Sequence, residues 1–352
     1  MLQKRIQKIL LALPIALAMW SSCSNDLVLV EPGKEVPVVY GIINPSDSVT
    51  YIRVERTFVD ATKSGVELAK IADSIYYKTI SVQLWRNNLP ATKFPLERVD
   101  AAREGYPRDS GLFAQSPNVL YKIKNSVIQP SANDVFTLSI RREGATKPLT
   151  EGVTSIVGGF EVDTFSPRLA RPGVEMTETS KLNFTFTPLD ISTGRGDKAG
   201  RYYDVTMIIY YDETDATGTK TKSLTWNFDK KHIRAIRGGV PEIDLSSERK
   251  SADFLQFLAQ NIEKKASVTR KMKSFDVIFD IGGGEMLAFQ EVGAANAGIT
   301  GSQSIPTYSN LSNGAFGLFS SRNRVVQRGY VFTPSASTLF VTSPILTGLN
   351  FR

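Results

Sequence analysis

The sequence predicts a mainly β protein: two tandem immunoglobulin-like or fibronectin-III-like β-sandwich domains, with one short amphipathic helix in the second. Three observations predict it. Short runs of alternating apolar and polar residues recur along the chain, bounded by Gly, Pro, Asn and Asp, which is the pattern of half-buried strands. The runs follow one another without the regular helical insertions of a βαβ unit, as in sandwiches. The texture breaks once, around Gly158-Gly159, and a second series of strand-like runs begins beyond it.

The first residues read differently. Lys4, Arg5 and Lys8 precede an apolar run from Ile9 to Trp20, then Ser21-Ser22-Cys23. A basic start, a short apolar stretch and small residues before a cut mark a secretory signal. The run is shorter than the roughly 20 residues that span a bilayer. Cys23 is the one cysteine of the 352 residues, and it stands where a thioether-linked lipid needs a thiol. The segment resembles a bacterial lipobox, with Trp20 in place of the usual aliphatic residue. The reading is therefore a signal peptide over 1–22, lipidation at Cys23 and a tether over 23–35. Because each buried CH₂ contributes about 0.8 kcal/mol, two or three acyl chains are needed for a durable anchor. The short Ser24-Asn25-Asp26 stretch resembles a Bacteroidota surface-export signal, favouring the cell surface over the periplasmic face of the outer membrane.

An N-terminal sandwich is predicted over 36–158. Its strands are Val36 to Ile43, Thr50 to Phe58, Ile80 to Trp85, Asn118 to Lys124, Val135 to Arg141 and Val153 to Val157. Val66 to Ile71 reads as either a short helix or a loop. Pro167 to Pro172 reads as the passage into a C-terminal sandwich over 159–352. There the strands are Leu182 to Phe186, Tyr202 to Tyr211, Ser223 to Phe228 and Phe275 to Ile281, with Phe184, Phe186, Tyr203 and Trp226 as core aromatics. Thr206 to Tyr211, nearly all apolar, reads as a central strand buried on both faces. Ser251 reads as an N-cap, with Phe254, Leu255, Phe257, Leu258 and Ile262 at helical spacing and Lys264 and Lys265 near the end, placing a helix near 252–264. Beyond Gly282-Gly283-Gly284, Glu285 to Val292 reads as a returning hairpin arm, and Ile305 to Phe319, rich in turn formers, as a specific loop at the sandwich edge.

Composition narrows the chemistry. Removing Lys4, Arg5 and Lys8 from the 42 basic residues leaves 39 against 35 acidic ones, net +4. That balance gives no footprint for nucleic acid. With one histidine, His232, and Cys23 committed to lipid, zinc-type sites and histidine-dependent nucleophilic catalysis lack their parts. The glycine triplet lacks the Lys-Ser/Thr of a phosphate loop. Asp212, Glu213 and Asp215 form an acidic turn without calcium-loop spacing. No catalytic residue, metal or cofactor is predicted. Asp47-Ser48-Val49 and Asp73-Ser74-Ile75 resemble Bacteroidota O-glycosylation acceptors, making Ser48 and Ser74 candidate modification sites.

Val38 to Val49, running into Tyr51-Ile52-Arg53-Val54, and the Asn310-x-x-Asn313-Gly314-x-Phe316-Gly317-x-Phe319 ending resemble Bacteroidota lipoproteins of the domain-of-unknown-function type that accompany TonB-dependent outer-membrane transporters. The resemblance covers both ends of the chain and carries no catalytic residues. It implies β-sandwich modules at the outer membrane. The expected function is a non-catalytic accessory subunit of an outer-membrane complex, in transport or in assembly or secretion of envelope proteins. The expected partners are an outer-membrane β-barrel or other envelope lipoproteins, besides the membrane reached through the anchor. Trp85, Tyr308, Asn310 and Phe316 are the candidate ligand or partner contacts. The alternative is a surface lipoprotein binding glycan or peptide, with Trp85, Tyr121, Trp226 and Tyr308 as exposed aromatic platforms. A hydrolase built on paired carboxylates is the third class, and nothing in the sequence places such a pair.

Overall fold

A computed structural model describes residues 35–58, 60, 63–132, 134–158, 160–166, 173–188, 200–232, 236–237, 240–241, 245–296 and 308–352. The predicted signal, Cys23 and the Pro167–Pro172 passage lie outside them.

The first eight strands are β1 (Pro37–Ile43), β2 (Val49–Arg56), β3 (Ile80–Arg86), β4 (Phe94–Pro95), β5 (Glu97–Asp100), β6 (Val119–Lys124), β7 (Val135–Arg142) and β8 (Thr150–Ser155). They form two sheets, one running β1-β2-β6-β5 and the other β4-β3-β7-β8. Alternation does the sorting. On β1 it turns Val39, Gly41 and Ile43 inward, on β2 Ile52 and Val54, on β3 Val82 and Leu84, and on β7 Phe136, Leu138 and Ile140. These side chains meet in one core between the sheets, the arrangement of a sandwich. Tyr51 points the other way, to the outward side of β2. The short stretch left open by sequence is helical: α1 (Gly65–Ala69) starts on a capping box in which Ser64 and Glu67 satisfy each other's backbone, and α2 (Ala72–Ile75) follows.

The remaining strands are β9 (Phe160–Ser166), β10 (Gly173–Val174), β11 (Lys181–Pro188), β12 (Gly200–Asp215), β13 (Gly218–His232), β14 (Ile236–Arg237), β15 (Val240–Pro241), β16 (Leu245–Lys250), β17 (Thr269–Gly283) and β18 (Phe316–Phe332). With α3 (Asn125–Ile128) in the first module, the helices here are α4 (Ser251–Asn261), α5 (Gly284–Asn296) and α6 (Pro334–Thr342). A long sheet runs β13-β12-β17-β18, and a smaller one β16-β11-β9. Tyr203, Val205, Met207 and Ile209 of β12 and Phe275, Val277, Phe279 and Ile281 of β17 form the core with Leu182 of β11, Phe254, Leu255 and Leu258 of α4 and Phe340 of α6. Phe184 and Phe186 lie on β11, opposite Ser247 and Leu245.

Mainly β layers in tandem are thus what the chain builds. The sheets of the two modules are continuous, however. β18 pairs in parallel with β1, Phe316–Ser321 against Val38–Ile43, and then antiparallel with β17, Arg322 opposite Gly282 through Tyr330 opposite Phe275. The last strand therefore belongs to both modules, and residues 308–321 pack with the first, across the boundary drawn after 158.

Four local expectations change. Glu285 to Val292 is helix α5 and not a hairpin arm, because the glycine triplet lets the chain fold back onto the strand it has left. Phe316 to Phe319 opens β18, so of the described residues in that stretch 308–315 form the loop. Thr206, Ile208 and Tyr210 are half-exposed while Met207, Ile209 and Tyr211 are buried, so this strand has one buried face, not two. Ser251 is the first helical residue and Lys250 the N-cap. The Ser251 hydroxyl instead lies 2.7 Å from that of Ser180, tying the helix start to the residue before β11, and the helix ends before Lys264 and Lys265.

Candidate interaction surface

The motif that ends in Phe319 is a clasp. The Asn310 amide acts as a substitute strand: its Nδ2 donates to the Phe319 carbonyl at 2.6 Å and its Oδ1 accepts from the Phe319 amide at 2.9 Å. Ser309 Oγ donates to the Ala315 carbonyl, closing the loop. Asn313 and Gly314 take the left-handed conformation at its tip, where Asn and Gly carry the least steric cost. Ser312 and Asn313 reach across to Glu151, Pro148 and Leu149 beside β8. Gly317 has φ +116, and a Cβ there would stand 1.9 Å from the Val39 carbonyl oxygen. Only glycine lets β18 lie against β1 at this point. Phe319 is fully buried in the first core. Asn310, expected as a ligand or partner contact, holds its own loop against the start of β18.

The glycine triplet performs a second close approach. A Cβ on Gly282 would meet Met286 Sδ at 2.6 Å, and one on Gly283 would meet Glu285 Oε2 at 2.9 Å and Ser320 Oγ at 3.0 Å. With no side chains there, α5 doubles back over the end of β17 and beside β18. Its Glu285 carboxylate accepts from Ser320 Oγ at 3.1 Å and Thr154 Oγ1 at 3.3 Å, and Leu287 is buried beneath it. Tyr308 stands half-buried nearby, its phenol pushed up from the ordinary value by burial and then by the Glu285 charge.

These two devices leave an apolar face open. Tyr40 and Ile42, on the outward side of β1, are 45% and 37% exposed, Phe289 of α5 is 37% exposed and Phe316 is 42% exposed. The Tyr40 and Phe289 rings meet edge to face with centroids 6.3 Å apart. Phe316 stands in register with Val38, two residues along the same strand. Arg53, opposite Tyr40 across the β1–β2 ladder and paired with Glu55 at 3.1 Å, supplies a polar margin. Isolated apolar side chains on a surface are ordinary. Aromatic rings in contact beside an apolar strand face are what the cores of interaction surfaces are enriched in.

Sequence reasoning named only Phe316 of this face. The missed signal was present: Val38 to Ile43 is apolar at every position, whereas a strand with one solvated face alternates. The α5 sequence is likewise apolar around its circumference, with Met286, Leu287, Phe289 and Val292 at all angles.

The other candidates are scattered. Trp85 sits on β3 of the opposite sheet, with the Lys93 ammonium 3.4 Å from its ring centre. Tyr121 is buried. Trp226 packs on α4, stacked on Phe257 at 5.6 Å. Trp85, Tyr121, Trp226 and Tyr308 therefore do not make one platform. Ser48 is exposed in the β1–β2 turn, and Ser74 is half-buried on α2. The acidic turn is divided among structural tasks. Asp212 accepts from Thr221, Asp215 caps its own turn through Thr217, and Glu213 binds Lys222 and Arg270. Among the described residues no group of three His, Cys, Asp or Glu is placed to hold a metal ion, and no helix is long and apolar enough to cross a membrane.

No protein-family model matches the chain, and no curated protein matches it. Among solved structures it is similar to the selenomethionine-substituted chicken interferon gamma receptor alpha chain, at 6% identity and a TM-score of 0.17 over 70% of this chain and 88% of that one. It is also similar to the FN1–FN3 domains of chicken CNTN1, at 11% identity and a TM-score of 0.18, over 70% of this chain and 60% of that one. Likenesses this distant assign neither a strand topology nor an activity to the chain.

Proposed function

We propose that this protein is a non-catalytic, lipid-anchored subunit of an outer-membrane protein complex, docked onto a β-barrel partner through Tyr40, Ile42, Phe289 and Phe316. The observation that carries the reading is that exposed apolar face, which the fold goes to some length to present: a glycine-mediated chain reversal and an asparagine clasp both converge on it. Full burial of a side chain of this size contributes ~1.5–3 kcal/mol, and burying the two-fifths still exposed on each of these contributes roughly 0.6–1.2 kcal/mol, so the four act as anchors within a larger contact. Lys4 to Ser22 and Cys23 support export and acylation, and the mild net charge of the mature chain fits a protein partner better than a polyanion.

Purification of a tagged full-length copy from native outer membranes in mild detergent tests the reading. A β-barrel should be recovered in stoichiometric amount, and Tyr40→Ser with Phe289→Ser should lose it while leaving the thermal midpoint unchanged. Recovery of the acylated protein alone, or of the same partner with the double variant, would refute docking by this face.

A further inference from the structure

A second site lies on the other module and does not depend on the docking face. Between β13 and α4 there is an open cleft of about 220 Å³ lined by the stacked rings of Trp226 and Phe257. The two rings are nearly parallel, 23° apart. The edge-to-face contact of Trp226 with Phe228, and its tilted contact with Phe254, hold the indole in place. Trp226 nevertheless remains half-exposed at the cleft. The rim is polar and hydrogen-bonding. Asn227 follows Trp226 on β13, Arg249 comes from β16, and Asp253, Gln256 and Gln260 line the cleft from α4.

The helix explains how the rim arises. Residues 253, 256, 257 and 260 recur at three- and four-residue spacing and share a face, while Phe254, Leu255 and Leu258 on the next face enter the core. The side chains of Asn227, Asp253, Gln256 and Gln260 have no hydrogen-bond or ion-pair partner among the described residues. Arg249 is anchored by its Nε, which donates to the Phe228 carbonyl at 2.6 Å, so its terminal nitrogens are held at the rim.

We propose that this cleft binds one pyranose unit of a neutral glycan. A pyranose has an apolar face of axial C–H bonds and an equatorial ring of hydroxyls that both donate and accept. The fixed aromatic lining of Trp226 and Phe257 answers the first. The second requires amides, a carboxylate and a guanidinium around the edge, which is the set present. The rim charges of Arg249 and Asp253 offset each other, which disfavours a strongly charged ligand. The cleft is also small beside the roughly 300–1,000 Å³ pockets of drug-sized ligands, so it holds one ring and leaves the rest of a chain in solvent.

Saturation-transfer NMR on the detergent-solubilised full-length protein tests this, using the methyl pyranosides of glucose, galactose, mannose and N-acetylglucosamine. The expected result is transfer to the ring C–H protons of at least one pyranoside. Gln256→Ala with Gln260→Ala, both exposed and outside the core, should weaken binding about tenfold or more through lost hydrogen bonds. Trp226→Phe should reduce transfer and Trp85→Phe leave it unchanged. Absence of transfer to all four probes would overturn the proposal. So would transfer that survives the double glutamine variant, or that Trp85→Phe abolishes.

Discussion

Arg270 is the largest fully buried side chain among the described residues, with its side chain 1% exposed. Its Nε and Nη2 donate to Glu213 Oε2 at 2.9 and 2.8 Å, Nη1 to the Leu349 carbonyl at 2.7 Å and Nη2 to the Glu263 carbonyl at 2.8 Å. Its own backbone pairs with Asn350 and Arg352. One side chain thus ties β12, the exit of α4 and the C-terminal segment together. Arg270→Met keeps much of the volume but strands Glu213 and two carbonyls. Removing one partner of a buried pair costs about 3–5 kcal/mol; because Lys222 still binds Glu213 at 2.6 Å, the expected loss is ~4 kcal/mol or slightly less. With a urea m-value of ~3 kcal/mol per M for a chain of this size, the unfolding midpoint should fall by ~1.3 M. Adding Glu213→Leu removes the stranded carboxylate and should recover a substantial part of the loss. Equal loss in the single and double variants would refute the account, as would a shift in the single variant below ~0.3 M.

Three further outcomes follow from the same geometry. Gly317→Ala places a methyl group against the Val39 carbonyl at a left-handed φ, so β18 should separate from β1. Hydrogen exchange should then accelerate at Val39 to Ile43 while β17 stays protected, and unchanged protection of β1 would count against the clasp. Glu213 is held below the ordinary glutamate value of 4.5, chiefly by the Lys222 hydrogen bond and then by Arg270. Its stabilisation is therefore complete above that value and lost as pH falls through the lower folded value. Glu213→Gln should flatten the acid limb of the urea midpoint against pH, and parallel curves would contradict this. Tyr51 and Tyr77 are pushed up to about 12, by burial first and then by Glu104 and Glu35 respectively. Their contribution is full below the ordinary 10.0 and lost as pH rises towards 12. Tyrosinate absorbance should show late ionisations, of which Tyr77→Phe removes one.

The elements were legible where local chemistry decides them. Ile80, Val82 and Leu84 alternate because one side of β3 faces a core. Phe254, Leu255 and Leu258 recur at helical spacing because one stripe of α4 does. Glu285 to Val292 was not legible: its glycine-rich entrance suits a hairpin as well as a reversal, and the Met286 sulfur that Gly282 accommodates is in contact only after folding. The aromatics show the same divide. Trp226 and Phe257 lie 31 residues apart, and nothing in either neighbourhood announces that their rings will stack.

What the sequence determined by itself is the mainly β character, the inward side of the cleanly alternating strands such as β3, the principal helix and the residues of the Asn310–Phe319 motif, since each depends on nearest neighbours and the preferences of single residues. Only the tertiary structure decided that β18 joins both modules, that Asn310 clasps the Phe319 backbone, and that Tyr40, Ile42, Phe289 and Phe316 share an open face. Alternation specifies which side of a strand is buried but not which strand lies beside it. That choice is made by backbone hydrogen bonds and packing between segments hundreds of residues apart, such as Val38 with Phe316, whose energies no local pattern contains.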